Sequence, residues 1–381
     1  MICASFIVDC TRLLFKSRTS SALFGYSKQH YCAYCQHKYR YPVMTTQDDR
    51  EQQLQQINRI IHGYTTSRTL MTAIQLSIFT HIAQGNHSVE QVAQAADASP
   101  RAVNKLLDAL VGMEFLKKDK PNHYELLPCS ARFLVKSSPE YVGAMHENDD
   151  HWIAWSNLNK VVKTGQPCMT VDQEKKAEEF FPHLVRSLHQ MSLGRANRLA
   201  EKLLEGKQDV ALEVIDIACG SGVWSIPLAE KCSNVRVTAQ DFPKVLELTK
   251  SYAQHHGVDQ QFNYLPGDLK TVDLGQQKYD IAILGNIVHS EGEKSSKILF
   301  QKLAKALKPQ GRVVVIDMFP NNDRTGPAYP LIFALNMLVN TTQGDTFTFE
   351  EYRQWFIEAN IPHVFMLEVV PDFSVIIAQV S

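Results

Sequence analysis

The sequence predicts an α/β protein: a parallel, doubly wound sheet, with an N-terminal α-helical winged-helix domain in front of it. Three observations predict it. From Asp209 onward short apolar runs alternate with helical patterns, the rhythm of βαβ units. The first run ends in the tight turn Cys219-Gly220-Ser221-Gly222 and leads into a helix, as in sheets that bind ligands at their strand ends. Upstream, three helical segments and a short polar hairpin follow the plan of a winged helix.

Composition sets the outer limits. The 381 residues are 44% hydrophobic and 21% charged, with 39 Lys+Arg against 40 Asp+Glu, a formal net charge of -1. This length gives two or three domains and ample chain for a buried core. A near-neutral balance argues against nucleic acid or an anionic membrane as the main partner. No apolar run approaches the roughly 20 residues that span a bilayer, so a cytoplasmic setting without membrane contact is expected. Eight cysteines in so long a chain do not make a disulfide scaffold. Cys32-x-x-Cys35, flanked by His30 and His37, looks like half of a zinc site. No second cysteine pair follows it, so no metal is expected.

Residues 1–45 read as a basic N-terminal extension. Residues 1–43 carry Arg12, Lys16, Arg18, Lys28, Lys38 and Arg40 against Asp9. A transit peptide, a disordered tail and an extension ahead of a start at Met44 all fit; a tail or extension is the simpler reading.

Residues 46–137 form the winged-helix domain. Leu70, Ala73, Ile74, Ile78 and Ile82 recur at helical spacing and give one apolar face. Ser88 and Gln91 resemble a capping box. Ser99-Pro100 reads as an N-cap with proline at the first helical position; Val103, Leu106, Leu107 and Leu110 line the face that follows. Phe115-Leu116, a polar hairpin over Lys117–His123 and a returning strand Tyr124–Leu127 make the wing. A DNA-reading role needs a strongly basic surface, and Asp108 and Asp119 dilute this one. A packing or dimerisation unit is expected instead.

Residues 138–205 read as a helical connector with two apolar faces, one on Trp152, Trp155, Leu158, Val161 and Val162, the other on Phe180, Phe181, Leu184, Leu188 and Met191. Such stripes are core as a rule; at a domain junction they also wall pockets.

Residues 206–381 hold the sheet. The expected strands are Leu212–Ala218, Val235–Ala239, Phe262–Leu265, Tyr279–Leu284, Val313–Met318, His363–Val370 and Phe373–Val380, with helices over Val223–Lys231 and Ser296–Leu307 among others. The glycine turn narrows the ligand. A dinucleotide fingerprint needs a third glycine where Ser225 stands, and a P-loop needs a Gly-Lys-Ser/Thr that is missing. Asp216 on the strand and Asp241 closing the second strand remain. An acid at the latter place suits ribose hydroxyls. His289 follows the strand Tyr279–Leu284, at a carboxyl end where ligands bind, and histidine suits proton abstraction near neutral pH.

The run Val214-Ile215-Asp216-Ile217-Ala218-Cys219-Gly220-Ser221-Gly222 resembles the glycine-rich motif of S-adenosylmethionine-dependent methyltransferases, with Ala218 at the family's first glycine. Pro266-Gly267-Asp268-Leu269, Gly285-Asn286-Ile287-Val288-His289 and Leu307-Lys308-Pro309-Gln310-Gly311-Arg312-Val313, together with the winged helix, are similar to the caffeate/hydroxyindole type of small-molecule O-methyltransferase over residues 55–381. The resemblance implies a Rossmann-like methyltransferase sheet, a homodimer and a hydroxylated small-molecule acceptor of secondary metabolism. It implies S-adenosylmethionine held by Asp216, Gly220, Ser221, Gly222, Asp241, Phe242, Asp268, Leu269 and Asn286. It makes His289 the catalytic base and Asp317 the carboxylate that orients it. Trp155, Met191, Phe333, Asn336 and Met337 would line the acceptor pocket; as plain core they fit equally well. Ser290-Glu291 replace the plant enzymes' Asp-Trp, Gly285 replaces a lysine, and Thr346 stands where a second carboxylate is expected. The histidine is therefore expected to have one carboxylate partner. C- or N-methylation on the same fold, and a DNA-binding regulator, are the alternatives.

Overall fold

The computed structural model describes residues 47–167, 174–206 and 209–381, with the side chains of 47 and 174–183 excepted. Cys32-x-x-Cys35, the basic stretch and the Phe180-Phe181 side chains lie outside the described residues. The chain divides into two units, one ending at Leu70 and the other Met71–Ser381.

Across the boundary runs the helix Gln47–Gln75. The expected single apolar face from Leu70 to Ile82 belongs to two helices: the chain breaks at Ser77, in the left-handed region, before Ile78–Ala83. Val89–Ala95 begins at the expected capping box of Ser88 and Gln91. Pro100–Gly112 has its proline at the start, but Ser99 makes no side-chain cap. The wing is longer than expected. Strands β1 (Leu116–Lys120) and β2 (His123–Leu126) pair antiparallel, so the polar residues sit on strands and two residues make the turn. Two of its three lysines pair within the module. Lys118 reaches Asp108 at 2.9 Å and the Tyr124 hydroxyl at 2.9 Å, and Lys117 reaches Glu125. That leaves little of the free positive surface a DNA backbone needs.

The main sheet has seven strands: β3 Leu212–Ile217, β4 Val235–Asp241, β5 Phe262–Pro266, β6 Tyr279–Gly285, β7 Leu307–Ile316, β8 His363–Val370 and β9 Phe373–Gln379. Their order is β5-β4-β3-β6-β7-β9-β8. The first five are parallel; β9 joins β7, and β8 joins β9, antiparallel. The purely parallel expectation fails at this edge because only Pro371 and Asp372 connect β8 to β9, too few for a crossover. Residues alternate between the two faces. Val214, Ile281, Ile283 and Val314 meet Ala196, Leu199 and Leu203 of the helix Glu174–Leu203 on one side. Ile215, Ile217, Leu284 and Val315 meet Leu299, Phe300 and Leu303 of Val288–Ala306, and Trp355 and Phe356 of Phe349–Glu358, on the other.

From β3 the chain winds outward through β4 and β5, then returns to place β6 on the other side of β3. The point between β3 and β6 is the topological switch, where a crevice opens beyond the carboxyl ends.

Candidate active site

The glycine turn fills residues 218–225, and the helix after it starts at Ile226 rather than the expected Val223. Three residues of the turn have positive φ: Ala218 at 49°, Gly220 at 57° and Gly222 at 73°. Glycine adopts this freely. Alanine at 218 does so at a cost of roughly 1 kcal/mol. A Cβ on Gly222 would stand 3.2 Å from Thr249 Cγ2. The helix Pro243–His255, which carries Thr249, would have to give by a few tenths of an ångström to admit a larger residue there.

Asp216 lies under the turn with 1% exposure. Ser225 Oγ donates to its Oδ2 at 2.5 Å, and Oδ1 has no partner. Burial pushes its pKa up to about 8. So Asp216, expected at the cofactor, shapes the turn and offers a ligand almost no surface. Ser221 is also buried, with its hydroxyl 2.8 Å from Nδ1 of His189; its side chain is spent as well. Asp241 ends β4 differently. Its two oxygens accept one backbone N–H each, from Gly220 at 2.9 Å and Phe242 at 2.7 Å. Burial raises its pKa to about 6, against the pull of those N–H groups. Each oxygen keeps a lone pair free for a ribose hydroxyl. Asp268 is half-buried and accepts from the Lys270 N–H at 2.8 Å, with Leu269 buried beside it. Asn286 takes φ 60° and donates its N–H to Ile316 O at 2.8 Å.

His289 opens the helix Val288–Ala306. Asp317 follows β7, the strand beside β6. Nδ1 of His289 lies 2.7 Å from Asp317 Oδ1, and the His289 N–H donates to Oδ2 at 3.2 Å. Oδ2 also accepts from the Tyr352 hydroxyl at 2.9 Å, and Oδ1 from the Met318 N–H at 2.8 Å. Nε2 has no hydrogen-bond partner among the described residues. A carboxylate facing Nδ1 fixes the tautomer with Nε2 as the acceptor. Thr346 is no second partner, since its hydroxyl donates to Pro330 O.

Two glycines lock this corner. A Cβ on Gly344 would stand 2.7 Å from the His289 carbonyl, and one on Gly292 would stand 2.7 Å from Gln343 O. The Asp345 N–H also donates to that same His289 carbonyl at 2.9 Å.

The expected acceptor residues divide. Phe333, on the helix Ala328–Asn340, stands edge-on to the His289 ring at 5.0 Å. Asn336 accepts from Trp155 Nε1 at 3.1 Å. Met337 is buried, and Met191 is exposed. Sequence reasoning missed Tyr352, His189 and Gln240. Gln240 donates to Gly267 O at 2.7 Å and accepts from the Ala218 N–H. No local pattern marks any of the three, because each acts on a residue far away in the chain.

A doubly wound sheet whose switch-point crevice is flanked by an acid at the end of β4 and a histidine–carboxylate pair defines a class, the Rossmann-like enzymes that work with a nucleoside cofactor. The family is narrower. An O-methyltransferase dimerisation domain matches residues 58–136 and an O-methyltransferase domain matches residues 172–361. The chain belongs to the S-adenosylmethionine-dependent O-methyltransferases. It is 24% identical over 329 residues to the S-adenosyl-L-methionine-dependent methyl transferase PigF of Serratia sp., covering 83% of this chain and 93% of that protein. It is 26% identical over 309 residues to the tetracenomycin polyketide synthesis 8-O-methyl transferase TcmO of Streptomyces glaucescens, covering 78% and 88%. In fold it is similar to human N-acetylserotonin methyltransferase, solved in complex with its methyl donor, with a TM-score of 0.75 at 22% identity, covering 89% of this chain and all of that one.

Proposed function

We propose that this enzyme methylates a hydroxyl of a small, flat acceptor of aromatic or polyketide type, with His289 as general base. The His289–Asp317 pair at the switch point carries the reading. The residues present suit S-adenosylmethionine better than a dinucleotide. Ser225 holds Asp216 where a third glycine would stand, and the Asp241 carboxylate has capacity left for a ribose. Gly220, Gly222, Asp241, Phe242, Asp268, Leu269 and Asn286 would hold the cofactor. When bound, it supplies an electrophilic methyl group on a sulfonium.

Ionising a phenol-like hydroxyl, with a pKa near 10, costs roughly 4 kcal/mol at pH 7. His289 Nε2 takes that proton as the oxygen attacks, and Asp317 steadies the imidazolium that results. Tyr352 stays protonated, because burial and the neighbouring Asp317 raise its pKa. Phe333 beside the base excludes water and favours a planar acceptor. Asn336 and Trp155 form the polar part of the wall. TcmO's polyketide substrate class supports the acceptor type.

His289→Ala should cut turnover by about 100-fold or more and leave affinity for S-adenosylhomocysteine, measured by calorimetry, within a few-fold. Full turnover in that variant removes the base. Labelled methyl donor with a panel of hydroxylated aromatics, and mass spectrometry of the product, separates O- from C- or N-methylation.

We also infer a homodimer. Leu54, Ile57, Ile61 and Tyr64 follow three-four spacing on the helix Gln47–Gln75, and all are exposed. This is the seam of a helix that meets another.

A further inference from the structure

Trp224 lies within the glycine turn, yet its indole reaches across to the end of β6. A Cβ on Gly285 would stand 2.6 Å from Trp224 Nε1 and closer still to Cδ1. The indole thus occupies the space over Gly285, and no residue but glycine fits beneath it. The other neighbour is Phe373, stacked at 6.1 Å, with the Arg195 guanidinium over that ring at 5.3 Å. Trp224 is 6% exposed, but its Nε1–H has no hydrogen-bond partner among the described residues. This N–H is not one of the sealed, unsatisfied atoms, so it stays open to a partner from outside the protein.

The crevice has a direction. Asp241, the ribose-type acid, ends β4; the glycine turn ends β3; Gly285 and His289 lie at and beyond the end of β6. The nucleoside half of the cofactor therefore belongs over β4 and the methionine half between β3 and β6, where Trp224 sits.

We propose that Trp224 recognises the amino-acid end of the cofactor, donating its indole N–H to the methionine carboxylate, and that Gly285 exists to admit it. The inference rests on the cofactor reading above.

Calorimetry on the full-length protein tests this with two probes, S-adenosylhomocysteine and 5′-methylthioadenosine, which lacks the amino-acid carboxylate. Trp224→Phe should weaken S-adenosylhomocysteine by about 10-fold and leave methylthioadenosine within two-fold. Gly285→Ala, which keeps the indole but displaces it, should do the same. Added to Trp224→Leu, Gly285→Ala should cost nothing further. Unchanged S-adenosylhomocysteine affinity in folded Trp224→Phe or Gly285→Ala overturns the proposal, as does an equal loss for both probes. A wild-type protein that binds neither probe would instead sink the cofactor assignment itself.

Discussion

Asp317 accepts four hydrogen bonds, and two of them come from His289. Tyr352 is the one side chain besides the histidine that shares this carboxylate among the described residues, and it is fully buried. Its O–H helps to hold the carboxylate in place against Nδ1. Tyr352→Phe keeps the ring among Phe300, Phe319 and Phe347 and removes only that bond. With one of its anchors gone, Asp317 should hold the imidazole less firmly. On the proposed reading kcat should fall several-fold, about one hydrogen bond's worth, while KM and S-adenosylhomocysteine affinity stay at wild-type values. A wild-type kcat in the folded variant would show that the hydroxyl only fills space. His289 was legible in the sequence because it follows a strand whose end the pattern places; Asp317 came from the family resemblance, inside a strand expected to run to Met318. Tyr352 was not, since nothing near residue 352 reports which carboxylate a helix will bring it to.

The helix Glu174–Leu203 is tied to the glycine turn by His189, which is stacked on Tyr252 at 4.0 Å and hydrogen-bonded to Ser221. Burial, with the nearby His256 and His255, lowers its pKa to about 4. The sign follows directly. Below the ordinary histidine pKa the unfolded chain takes a proton that the folded one refuses, so stability is whole above about pH 6.5 and is lost as pH falls towards 4. His189→Gln keeps a hydrogen-bonding group without titrating there. Its Tm should fall less than the wild type's between pH 7 and 4.5; parallel curves would refute the linkage. At this scale the strands were legible, since runs such as Val235–Ala239 and Tyr279–Leu284 are largely apolar. The start of the helix after the turn was not. Val223 and Trp224 look helical in sequence, but the Asp216–Ser225 bond keeps them in the turn.

For the whole molecule, the exposed row Leu54, Ile57, Ile61 and Tyr64 is more apolar surface than an isolated helix would present to water. Ile57→Glu with Ile61→Glu should convert a sedimenting dimer to monomer while S-adenosylhomocysteine still binds within a few-fold. A dimer that survives both charges would place the interface elsewhere. Composition argued against membranes and strongly acidic partners but carried no information about assembly. The helical spacing of this row is plain in the sequence, but whether it faces a core or solvent depends on the rest of the fold.

Gly344 and Gly292 leave the segment around Gln343 no slack against His289. On the reading proposed above, a family member adapting to a bulkier acceptor through this corner would have to shift His289 with it. New room would have to come from across the imidazole, by shortening Phe333 on the helix Ala328–Asn340, at the cost of the ring that keeps water from it. One side of the cleft would then be fixed by close packing, and the other would trade space for dryness.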